Sequence, residues 1–181
     1  MTVVAALVHE GKVWMGSDSL YVHSNGTKHF FSKIWLDETS TWVFGIAGSL
    51  SYRQAVQYAE LPKSPADTEP YEYLVRTWMP ALREKLTARK ELFDSDWDVR
   101  GGGQILLGSQ GKLFKVVGFA VVPIEEPFFA IGSGEGAAYG VLHFCHNSKS
   151  SIGPKGRLRH AITAAADHYE GVGGSHNVLS V

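Results

Sequence analysis

The chain has 181 residues, 44% of them hydrophobic, with 17 basic and 18 acidic side chains and a formal net charge of −1. That composition fits one well-cored domain and excludes a disordered chain, and a near-neutral charge without any like-charge block speaks against nucleic-acid or membrane-surface binding. Cys145 is the only cysteine, so no intrachain disulfide forms and a reducing compartment, the cytoplasm, is expected.

In chain order, TVVAALVH (2–9) and VWMGSD (13–18) flank the turn EGK and predict a β-hairpin. The N-terminal apolar run has no basic segment ahead of it and is broken by His9, Glu10 and Lys12, so it reads as neither a signal peptide nor a membrane span. HFFSKIWLD (29–37) and TWVFGIAGS (41–49) predict a second strand pair, and SLSYRQAVQYAE (49–60) a helix opened by serines. After a loop at 61–70 with three prolines, Leu74, Trp78, Leu82, Leu86 and Phe93 recur near helical spacing over 71–93, with a kink or restart expected at Pro80.

RGGG (100–103) leads into another hairpin with the turn SQGK, and PFFAIGS (127–133) reads as a strand. Helices follow at 134–146 and 156–169, then a last strand at 175–181. No repeat or linker divides the chain, so residues 1–181 read as a single domain. Two sheets packed face to face with helices outside satisfy this order, which makes an α+β, four-layer αββα sandwich.

FFAIGSGEGAAYGVLHF resembles the strand, loop and helix of proteasome β subunits, and RHAITAAADHYEGVGGSHNVLSV resembles their last helix and strand. WMGSDS, FSKIWL and GIAGS are similar to three further segments of that family, in the same order, so the resemblance covers nearly the whole chain. The length is also similar to that of the HslV peptidase subunit. The resemblance implies an N-terminal-nucleophile hydrolase of the proteasome-β/HslV type: a threonine-type endopeptidase with no cofactor and no metal. It implies a homo-oligomeric ring of six or seven subunits, stacked in pairs, fed by an ATP-dependent unfoldase and acting on peptides or unfolded protein.

Thr2 is then the nucleophile once Met1 is removed, and its small side chain permits that removal. A threonine hydroxyl is weak until a base takes its proton, and a free α-amine with a pKa of about 7.7–8.0 suits that task where a backbone amide does not. By the resemblance Asp18 orients Lys33 and the threonine, and Lys33 acts through its charge. Gly48 supplies the oxyanion-hole N–H, Ser133 and Asp167 support the amine and hydroxyl, and Ile46 and Leu50 line the substrate pocket. Apolar Ile46 suggests a preference for apolar side chains.

Each residue also has a plain reading: Thr2 as a strand former, Asp18 as a turn aspartate, Gly48 as a strand end. Lys33 is the hardest to read so, because it interrupts a strongly apolar strand. One departure from the family is Glu170, where the family carries a serine; a carboxylate beside the amine would raise its pKa and weaken it as a base. A non-catalytic or weakly active ring subunit is the alternative that Glu170 supports, and a small-molecule amidase is a third. His143, Cys145 and His146 on one helix do not put three metal ligands on one face and read as surface or interface residues.

Overall fold

A computed structural model describes residues 1–64, 68–88 and 103–181. Strands β1 (Val4–His9), β2 (Lys12–Ser17), β10 (Phe128–Ile131) and β11 (Asn177–Ser180) form one sheet, in the order β10-β1-β2-β11. A second sheet runs β5-β6-β7-β8-β9, from β5 (Ile34–Leu36), β6 (Val43–Gly48), β7 (Gly103–Ser109), β8 (Lys112–Val117) and β9 (Ala120–Ile124). A small hairpin, β3 (Leu20–Val22) and β4 (Lys28–Phe30), stands beside them.

Helices α4 (Glu135–Asn147) and α5 (Pro154–His168) cover the first sheet. On the second lie α1 (Leu50–Gln57), α2 (Pro70–Tyr73) and α3 (Met79–Ala88). The expected four-layer αββα sandwich is what forms.

The alternation of strand side chains explains why the sequence runs apolar without interruption. Val3, Ala5 and Leu7 pack beneath α4 and α5, while Val4 and Ala6, on the opposite face of β1, join Val13, Met15, Val43 and Leu106 between the sheets. In β6 and the residue before it, Trp42 and Ile46 pack toward α1–α3, while Val43 and Ala47 face the other sheet. The two sheets approach so closely that a Cβ on Gly45 would lie 2.5 Å from Val4 Cγ1 and 2.8 Å from Met15 Sδ. The β1–β2 and β7–β8 hairpins each turn through two residues of positive φ, Glu10-Gly11 and Gln110-Gly111, which matches strand twist.

The structure refines the expected elements in three places. The strand expected at 29–37 is two strands in different sheets, because the Ser32 hydroxyl donates to Ile34 O (2.8 Å) and breaks the run between β4 and β5. At Pro80 the expected restart takes the form of a change of helix type: a π-helical stretch, Leu74–Trp78, follows α2, and α3 begins at Met79, one residue before the proline. Proline has no N–H to donate to the preceding turn, and the wider π turn just ahead of it relieves the ladder. The β3–β4 hairpin and β9 were not expected, being short or interrupted by proline. Phe93 and residues 100–102 lie outside the described residues. Among the described residues, no helix is long and apolar enough to cross a membrane.

Candidate active site

Asp18 follows β2 directly and is fully buried, at 0% exposure. An isolated buried carboxylate would be prohibitively costly, so its partners carry the argument. Oδ1 accepts from Val3 N (3.0 Å), and Oδ2 accepts from Leu20 N (3.2 Å) and Gly173 N (3.2 Å). Lys33 Nζ donates to both oxygens, at 2.8 Å each. Asp18 thus ties together the start of β1, the start of β3 and the loop ahead of β11.

The Ser32 turn that ends the apolar strand also points Lys33 inward, where it is 3% exposed. Beyond Asp18, its ammonium donates to Leu20 O (2.7 Å) and to Met1 O (3.4 Å). Burial pulls the Lys33 pKa below its ordinary value, and the charge and hydrogen bonds of Asp18 oppose that pull.

Thr2 is buried at the rim of this pair. Its Oγ1 donates to Met1 O (2.6 Å), so the Met1 carbonyl accepts from both the threonine hydroxyl and Lys33. The Thr2 N–H donates to Ser133 Oγ (3.0 Å), which donates in turn to Thr2 O (3.3 Å). Ser133 gets there through Gly132, whose φ of +97° and close approach to the Thr2 carbonyl leave no room for a Cβ. Gly132 N donates to Gln104 Oε1 (3.0 Å), which fixes this corner to β7.

Two hollows open beside Thr2. One, of about 410 Å³, is lined by Met1, Ala47, Gly48, Gln104, Ser133 and Glu135 among others. Gly48 ends β6 exposed at its wall. The other is a narrow cleft of about 10 Å³ lined by Tyr21, Phe31, Lys33, Ile46, Leu50 and Arg53, with Thr2 and Gly48 shared between the two.

Thr2, Asp18, Lys33 and Ser133 are therefore linked by hydrogen bonds through Met1 O and the β1 backbone, while Gly48, Ile46 and Leu50 line the hollows. Asp167 and Glu170 are not brought in: both are exposed, and among the described residues neither bonds to a member of the cluster. The residue after Glu170 does reach the site, since Gly171 packs against the Met1 side chain. Sequence reasoning missed three contributors. Gln104 reaches Gly132 only across the sandwich, Gly173 meets Asp18 only by folding, and Arg53 reads as an ordinary polar face residue of α1.

Compared by sequence, the chain matches no family model and no curated protein. Compared by structure, it is similar to Thiobacillus denitrificans BPH in complex with epoxomicin, with a TM-score of 0.78 at 20% identity, covering 99% of this chain and 98% of that one. It is similar to HslV from Trypanosoma brucei, with a TM-score of 0.70 at 16% identity over 99% and 98% of the two chains. Anbu from Pseudomonas aeruginosa, solved as a helical assembly, gives 0.73 at 16% identity over 99% of this chain and 81% of that one. The chain has the proteasome/HslV-like N-terminal-nucleophile hydrolase fold.

Proposed function

We propose that this chain is a threonine-type endopeptidase whose nucleophile is the Thr2 hydroxyl, freed by removal of Met1. The observation that carries the reading is the buried Asp18–Lys33 pair whose ammonium meets the Thr2 hydroxyl at a shared acceptor, the Met1 carbonyl oxygen. With Met1 gone, the Thr2 nitrogen becomes an amine 3.0 Å from Ser133 Oγ. That amine takes the hydroxyl proton as Oγ1 attacks the scissile carbonyl. The Gly48 N–H donates to the developing oxyanion, and the amine returns the proton to the leaving nitrogen, giving an ester on Thr2 that water hydrolyses. Lys33, held by Asp18, keeps positive charge beside the nucleophile throughout, which favours the alkoxide and the neutral amine.

That BPH was solved with epoxomicin, an epoxyketone, supports the reading. Self-assembly into stacked rings of six or seven, with an ATP-dependent unfoldase as partner, belongs to the same proposal, and the helical assembly of Anbu supports the self-assembly.

Intact mass of the purified protein, with and without an epoxyketone, tests it. The expected result is a mass lacking methionine that gains one inhibitor and loses that ability in Thr2→Ala. A mass that keeps Met1 and gains nothing overturns the reading and leaves a non-catalytic subunit.

A further inference from the structure

The cleft beside Thr2 has apolar walls, Ile46, Leu50 and Phe31, but it also contains a cation that the sequence reading left out. Arg53 lies one turn into α1, its N–H bonded to Ser49 O at 3.1 Å, and its side chain turns into the cleft. The guanidinium sits over the Phe31 ring at 5.1 Å and the Trp35 ring at 5.8 Å. Its Nε is buried with no hydrogen-bond partner. Among the described residues, no carboxylate lies within ion-pair distance of it. The side chain as a whole is half-buried, and burial pulls the Arg53 pKa down while Tyr58 opposes that pull.

We propose that Arg53 makes this cleft a recognition site for an acidic side chain, so that the protein cuts after aspartate or glutamate. The inference rests on the peptidase reading of Thr2 and names the substrate class for it. An apolar side chain laid over the mouth of the cleft takes water from the half-buried guanidinium and returns nothing, whereas a carboxylate there supplies an acceptor and a charge. The Phe31 and Trp35 rings flank the guanidinium and favour its positive charge. The apolar preference suggested by Ile46 is thereby replaced: Ile46 and Leu50 shape the walls, and Arg53 sets the charge.

The experiment uses peptidyl epoxyketones that differ only in the side chain entering the cleft, aspartate, asparagine or leucine, and reads adduct formation by intact mass over time. Wild type should label about ten- to a hundred-fold faster with aspartate than with asparagine, the range of a charge-assisted hydrogen bond. That ratio should collapse to near one in Arg53→Gln and be largely kept in Arg53→Lys. Equal rates for the aspartate and asparagine probes on wild type overturn this inference while leaving Thr2 as the nucleophile. A ratio unchanged in Arg53→Gln assigns the preference to another residue and also overturns it. No adduct with any probe overturns the peptidase reading, and this inference with it.

Discussion

Replacing Lys33 by methionine keeps the length of the side chain and removes its charge from a site where Asp18 has no access to water. Removing one partner of a buried ion pair typically costs about 3–5 kcal/mol, because the remaining charge is stranded. Asp18 retains backbone donors from Val3, Leu20 and Gly173, so the loss should fall at the low end, about 3 kcal/mol. With a urea dependence of about 2 kcal/mol per molar, the unfolding midpoint should drop by about 1.5 M.

The double variant D18N/K33M should lose less than K33M alone, since no carboxylate is left unpaired. Urea titrations followed by tryptophan fluorescence measure all of this. A K33M midpoint within about 0.2 M of wild type would refute the reasoning, because it would mean that the three amides suffice for Asp18 and that the pair contributes nothing to holding the site.

Three further outcomes are expected. Tyr73, whose hydroxyl donates to Pro62 O, has its pKa pushed by burial to about 12. A raised acid contributes stability that is full below the unfolded pKa of about 10 and fades as pH climbs to the folded value, so wild type should weaken between about pH 10 and 12 and Tyr73→Phe should show a shallower fall, by at most about 1.4 kcal/mol per pH unit. Gly45→Ala should cost about 1–3 kcal/mol by thermal melting, since its Cβ would press on Val4 and Met15 between the sheets. Ser133→Ala should slow epoxyketone labelling about ten- to a hundred-fold while lowering stability by only about 1 kcal/mol; labelling at the wild-type rate would remove Ser133 from the machinery.

Much of the fold was legible because it rests on local rules. Uninterrupted apolar strands such as TVVAALVH need cover on both faces, and with helices placed after each strand group the layered sandwich is the arrangement that supplies it. Two-residue turns with glycine fixed two hairpin registers, and Ser49 marked the start of α1 by accepting from Tyr52 N at 3.2 Å. Thr2, Asp18, Lys33 and Ser133 could be named in advance because the resemblance supplied their order along the chain.

What tertiary structure alone decided is who meets whom. Periodicity did not say which face of its strand Lys33 takes; a serine turn and a carboxylate fifteen positions earlier decided it. Asp167 and Glu170 lie close in sequence to the loop that meets Asp18 and Met1, yet their own side chains face solvent, because the helix end settles direction and the motif does not. Arg53 looks unexceptional as one polar residue on a short helix. Only the fold, which sets it against the rings of Phe31 and Trp35 with no carboxylate within reach among the described residues, turns it into a charge waiting for a partner. Burial and long-range pairing are properties of the assembled layers, and a one-dimensional pattern does not contain them.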